Sequence, residues 1–555
     1  MSLEAIKNRV GWLVGLNLLS VTVIVTPNWT LDPINIPKMW LLTIFSMAIL
    51  ALLISQFKII LNHKYVIFTI FSFSLPFWMA ISLIFSDSIL SQQLFGTYGR
   101  NTGLLTYVGL SIVFLGTSIA TNRSSTKPVM VGAIGAITIN AVYGFLQAIG
   151  KDWNTWAAAY SPVFGTLGNP DFISAFLGFT SSFAFAFLLA RQSSLRIKLL
   201  SILYLPIALF VIYKSKAQQG FLVFCLVALI VLFFELKNHF KSNMIQAAYL
   251  LFFGISGFLA IAGSLQKGPL ADLLYRYSIT QRGDYWHAAI NMFWKNPFTG
   301  VGLDSYGDWY RFFRTEDAAA RFEGAVVTNT AHNVFLDIAS TSGLLALISY
   351  LAIIFLALRS SWRIYKRNSN LEPIFIGVFA AWAGYLAQSV ISINNIGLAI
   401  WGWTLPGWLI AMERWQTEDK ETKQTKQTKQ ESRKIDFSGM FMTAGLTIGL
   451  VVGFFPYNAD ANFRHSLEEG NPDKIYLAAN KWPTDSSRYL YAAKIFQSNN
   501  LNEKAESLIR KSLKENPRSF ENWQFLYQLS SISEKEKASI LLKLEKLDPN
   551  NKNIK

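Results

Sequence analysis

Apolar runs about 20 residues long recur along most of the chain, broken by short polar turns, and each is long enough to cross a bilayer core of roughly 30 Å as a helix. They predict helices near 10–26, 38–57, 65–85, 103–120, 128–149, 172–190, 198–213, 219–236, 245–263, 333–357, 372–391, 396–412 and 437–455. The 396–412 run is interrupted by Trp401, Trp403 and Pro406. The first run follows Lys7 and Arg9 and has no small-x-small cleavage site, so it reads as a retained signal-anchor helix. Three segments depart from this pattern. Residues 264–331 are a polar, aromatic-rich insertion, 413–436 is a charged stretch with three Thr-Lys-Gln triplets, and 457–555 is soluble in character.

In that last segment Pro483, Pro517 and Pro549 lie 34 and 32 residues apart, and Ala505 and Ala538 lie 33 apart. Each proline closes a stretch shaped like a helix pair, and the period resembles tetratricopeptide repeats. The expected fold is therefore all-α: a polytopic membrane helix bundle of about thirteen transmembrane helices with a small C-terminal α-helical repeat domain. Its expected divisions are 1–263, an N-terminal membrane bundle of about nine helices; 264–331, a large external Arg-rich loop; 332–412, membrane helices that continue the bundle; 413–436, a solvated cytoplasmic linker; 437–456, the last transmembrane helix; and 457–555, external repeats. The lysines of the linker are candidates for lipid-headgroup contact.

Composition changes this picture little. Apolar residues make up 52% and charged residues only 15%, against about 25% charge in soluble domains, which fits an integral membrane protein. Cys225 is the one cysteine and lies inside an apolar run, so neither a disulfide framework nor a thiolate metal site is expected. The net charge of +16 suggests nucleic acid until its distribution is read. Basic residues gather in alternate loops: Lys58 and Lys64; Arg123 and Lys127; Arg191, Arg196 and Lys198; Lys237 and Lys241; Arg359, Arg363, Lys366 and Arg367. That is the positive-inside bias, and no nucleic-acid partner is expected. It sets the N-terminus in the cytoplasm, and the 264–331 loop and C-terminus outside.

The external loop carries the candidate chemistry. It holds Arg276, Arg282, Arg311, Arg314 and Arg321, and ends at His332 where the next apolar run begins. A guanidinium meets phosphate oxygens as a rigid fork and keeps its charge. A neutral imidazole can accept a proton from a sugar hydroxyl near neutral pH. The loop's seven Lys or Arg are matched by seven Asp or Glu, so many of them are ordinary surface pairs. Arg100 in Tyr98-Gly99-Arg100-Asn101 and Lys216 in Lys214-Ser215-Lys216 sit in further outward turns. Basic residues there run against the positive-inside bias, and a bound anion is one reason for them.

His332 followed by Gly343 after ten intervening residues, Arg282-Gly283-Asp284-Tyr285-Trp286, the turn Asn296-Pro297-Phe298-Thr299-Gly300-Val301-Gly302 and the Tyr98–Asn101 loop together resemble the O-antigen ligase family. The superfamily also holds O-antigen polymerases and pilin-type oligosaccharyltransferases, and the resemblance covers roughly residues 35–410. It implies a membrane glycosyltransferase in the bacterial cytoplasmic (inner) membrane, moving a glycan from undecaprenyl diphosphate to a lipid or protein acceptor without a metal ion or other cofactor. His332 then matches the family's essential histidine, as the group that deprotonates the acceptor, and Arg282 its loop arginine. Arg100, Lys216, Arg276, Arg311, Arg314, Trp286 and Asn333 are the substrate-binding candidates. Lys216 departs from the pattern, because members commonly carry an arginine at that turn. Fixed arginines can stabilise the departing diphosphate in place of Mg²⁺.

Other readings remain open. A polymerase that extends the glycan on its lipid carrier uses the same machinery. A small-anion transporter predicts ionisable residues at mid-membrane, and almost none are legible inside the apolar runs. The repeats offer a surface for a protein partner.

Overall fold

The computed structural model describes the chain apart from residues 1–2, 58–61, 63–64, 120–121, 155, 157–162, 241, 322–325, 426–436 and 555; for 3 and 416–425 it describes the backbone alone. Lys58, Lys64, Lys241, Arg433 and Lys434 fall outside the described residues, as does much of the 413–436 linker. The described residues are helical with no strand, and each of the thirteen apolar runs coincides with one helix. Among them, nine helices are long and apolar enough to cross a membrane, and Leu104–Ile119 and Pro373–Ser389 are shorter apolar helices. The fold is an all-α polytopic membrane bundle. The broken 396–412 run is one helix, Ile396–Thr425, with Pro406 inside it and Trp401, Trp403 and Trp408 buried.

The helices associate through small residues, as helices in lipid must when no hydrophobic force drives them together. Gly445, Gly449 and Gly453 form one face of Ser438–Glu469. A Cβ at Gly445 would lie 2.5 Å from Met47 O and one at Gly449 2.6 Å from Ile44 Cα, so this last span lies backbone-to-backbone on Asn35–Ser55. Trp40 Nε1 donates to Leu450 O across the same seam (3.0 Å). By contrast, Asn243–Ser264 buries only Gly263.

Beyond the bundle, Ser438–Glu469 runs directly into a module of five helices: Pro472–Ala479, Ser486–Ser498, Asn502–Glu515, Phe520–Gln528 and Glu534–Leu547. Phe463 of the long helix joins Tyr489, Phe496, Leu508 and Leu526 in the module's hydrophobic core. The spaced proline at 517 accepts a hydrogen bond on its carbonyl from Trp523 Nε1 (2.9 Å). The 264–331 insertion is itself helical in part, with Tyr277–Lys295 and Tyr306–Phe313 packed around Tyr285, Met292, Tyr306 and Tyr310. The module and the insertion lie at one end of the bundle, in contact through Arg314 and Asp548.

Candidate active site

The site is built on a break in the helix Val334–Arg367. Asn333 caps it, its Oδ1 accepting from Phe335 N and Leu336 N (both 3.0 Å). At Gly343 the backbone leaves the helical region, with φ 81° and ψ −178°. The carbonyls of Ser340 and Thr341 accept from Val301 N (2.9 Å) and Gly302 N (3.1 Å), and Leu344 N donates to Pro297 O (2.8 Å). The Asn296–Gly302 turn is therefore threaded into the break and satisfies the backbone groups that lack helical partners. Only glycine fits at 343, where a Cβ would meet Phe298 O at 2.2 Å.

This joint sets the angle of the first turns, and these hold His332. Asp337, one turn into the helix, accepts from Ala331 N (2.8 Å) and from the Thr330 hydroxyl. His332 N donates to Thr330 Oγ1 (3.2 Å), and His332 itself is left-handed, at φ 52°. Arg100 reaches in from the Tyr98–Asn101 loop: Nη1 donates to Asn329 O (2.6 Å) and Nη2 pairs with Asp304 at 3.4 Å. Asp304 in turn accepts from Thr97 N (2.6 Å). The Tyr285 ring lies 5.2 Å from the imidazole. Nδ1 faces Thr330 O at 3.4 Å, a contact that favours the Nδ1–H tautomer and leaves Nε2 as the acceptor.

Burial lowers the His332 pKa to about 4; the nearby positive charges of Arg282 and Arg100 push the same way, against the Thr330 carbonyl. The imidazole is thus neutral across the physiological range. Arg282, on Tyr277–Lys295, also interacts electrostatically with Asp171 at the start of Pro170–Leu189, where Asn169 caps the helix. His332, Arg282 and Arg100 so share one electrostatic neighbourhood, closed by Asp304, Asp337 and Asp171.

The other candidates have different surroundings. Asn333 is committed to its cap. Arg314 is buried against Asp548, and Arg311 pairs with Glu521 (3.1 Å) and covers the Phe520 ring (4.0 Å). Both are tied to the C-terminal module; Arg314 is used up there, whereas Arg311 also lines the cavity over His332. Arg276 is exposed and donates to Tyr275 O (2.9 Å). Lys216, exposed, ends Leu195–Ser215 in a left-handed turn (φ 61°), two residues before Gln218–His239. Gly220 of that next helix abuts Ser174, which brings the turn to the same end of the bundle as Asp171. Trp286 is half-buried, and its Nε1 has no hydrogen-bond partner among the described residues. Sequence reading missed Asp337 and Asp171 and gave no role to Asp304 or Tyr285. The signal for Asp337 was present, as one acidic residue in an otherwise apolar run.

A cavity of about 620 Å³ opens over His332, bounded by Tyr98, Thr328 and Asn329 on one side and by the C-terminal module on the other. Among the described residues, no three His, Cys, Asp or Glu stand together as metal ligands.

Residues 173–351 match the family model described as O-Antigen ligase. Over this third of the chain the sequence is similar to O-antigen ligases. The match begins on the helix Pro170–Leu189, contains Lys216, Arg282, His332 and the break at Gly343, and leaves Arg100 and the C-terminal module outside it. No curated protein matches the chain.

Proposed function

We propose that the chain is a glycosyltransferase that moves a glycan from undecaprenyl diphosphate to an acceptor hydroxyl on the outer face of the cytoplasmic membrane. His332 is the acceptor-activating group, and Arg282, with Arg100 behind it, stabilises the diphosphate. The observation that carries this reading is the shared field of His332, Arg282 and Arg100 beside an open cavity, with His332 and Arg282 inside the residues that match the O-antigen ligase family. A histidine with a pKa of about 4 is a weak base. A bound diphosphate changes that, because its negative charge offsets the arginines and favours the imidazolium. Nε2 then gains basicity when the donor is in place and accepts the acceptor's proton as its oxygen attacks the anomeric carbon. The electron pair of the broken bond leaves on the diphosphate, where fixed cations offset the developing charge without reorganising. Attack in line inverts the anomeric carbon, and holding both substrates at one membrane face lowers the entropic cost.

The test is a chromosomal His332→Ala replacement with separate profiling of lipid-linked and finally attached glycans. Long polymers accumulating on the carrier identify a ligase, and single repeat units accumulating there identify a polymerase. An unchanged profile, with the protein still in the membrane, sinks the reading.

A further inference from the structure

The cavity over His332 has a wall that the residues matching the O-antigen ligase family do not supply. Ser486–Ser498 contributes Tyr491 and Lys494, the segment before Phe520–Gln528 contributes Arg518, and that helix contributes Phe520 and Asn522. At about 620 Å³ the space lies in the range of roughly 300–1,000 Å³ typical of small-molecule sites. The wall combines an aromatic face with cations, hydroxyls, two amides and the carboxylates of Asp485 and Glu521. Tyr491 is 49% exposed, and Lys494 is exposed one helical turn further on. Arg518 lies over the Trp309 ring at 3.3 Å, and its Nε and Nη2 are buried with no hydrogen-bond partner among the described residues. An apolar lipid tail gains nothing from such a surface. A polyhydroxylated chain does: ring faces stack on aromatics, hydroxyls bond to amides and hydroxyls, and acidic sugars pair with Lys and Arg.

We propose that the C-terminal module is the second wall of a saccharide subsite, with Tyr491 and Lys494 gripping sugar units next to the bond being made and Arg518 fixing their hydroxyl or carboxylate groups. The module is then part of the substrate-binding machinery of a composite site. This rests on the glycosyltransferase reading above and goes beyond it, since that reading needs only the membrane bundle and the insertion. The sugars could belong to the donor glycan or to the acceptor, and the chemistry of the wall is the same for both.

The experiment uses the full chain in nanodiscs and three fluorescently tagged probes: the oligosaccharide released by mild acid from the host's undecaprenyl-diphosphate pool, the oligosaccharide isolated from the envelope of a strain lacking this protein, and undecaprenyl diphosphate without sugar. Wild type binds the first probe if the donor fills the subsite and the second if the acceptor does. Y491A/K494A weakens that binding at least fivefold, Tyr491→Trp retains it, and the sugar-free lipid binds all forms alike. Both positions are exposed, so the substitutions spare the fold. Equal affinity of wild type and Y491A/K494A for both oligosaccharides overturns the proposal, as does failure of wild type to bind either one. If His332→Ala still blocks glycan transfer in the cell, the glycosyltransferase reading survives that failure.

Discussion

Arg314 and Asp548 form a buried, two-pronged ion pair between the insertion before His332 and the far end of the C-terminal module. Arg314 Nε donates to Asp548 Oδ1 at 3.0 Å, Nη2 bonds Oδ2, and both side chains are fully buried. Asn550 Nδ2 adds a bond to Arg314 O (2.7 Å). Removing one partner of a buried pair leaves an uncompensated charge, which costs about 3–5 kcal/mol. Asp548→Ala should therefore loosen the module from the insertion before the membrane bundle unfolds. Limited proteolysis of the solubilised protein checks this: cleavage within 472–555 should accelerate at least tenfold, with the bundle fragment intact. Cleavage at the wild-type rate would mean that the pair does not hold the two parts together.

The lowered pKa of His332 gives a signed pH dependence. Its folded value lies below the ordinary 6.5, so the neutral, proton-accepting form is present above about pH 4 and is lost as pH falls through that value. kcat/KM should stay flat from neutral pH down to about 5 and then fall. A bound diphosphate raises the pKa, so the acid limb of kcat should lie at higher pH than that of kcat/KM. Arg282→Gln removes a like charge and should move the kcat/KM limb upward while lowering the rate. Rate profiles in proteoliposomes with lipid-linked glycan decide the matter; a limb that stays in place in Arg282→Gln separates the two residues.

Gly343→Ala tests the joint beneath the histidine. The substituent meets Phe298 O at 2.2 Å on a backbone with φ 81°, so the Asn296–Gly302 turn must move out of the break. Strain of this kind costs of order 1–3 kcal/mol before the overlap is counted. Transfer should fall at least tenfold with the protein still inserted, as measured by glycan profiling alongside membrane immunoblotting. Wild-type transfer would show that the angle of this helix does not set the position of His332.

Much of the bundle was legible because crossing a bilayer demands long apolar runs, and each predicted run has its helix. The break at Gly343 was not. Its cause is the pairing of Ser340 and Thr341 with Val301 and Gly302 some forty residues away, and hydropathy carries no record of backbone partners. The same limit applies to charge. Arg282 and Arg314 are alike in sequence, yet one shares its surroundings with His332 and the other is bound to Asp548, 234 residues further along the chain. His332 stood out because it ends a polar segment at the edge of an apolar run. Asp337 did not, since a lone acid within such a run reads as an irregularity until its bonds to Ala331 and Thr330 are seen.

The glycine-faced last span has a consequence for how the protein comes into being. The face of Asn35–Ser55 that meets Gly445, Gly449 and Gly453 is made among the first residues of the chain and covered almost at its end. The module that walls the cavity is threaded onto that same closing helix. In chain order the histidine and its arginines precede both this helix and the module, so the chamber around them is complete only once Ser438–Glu469 has packed onto Asn35–Ser55.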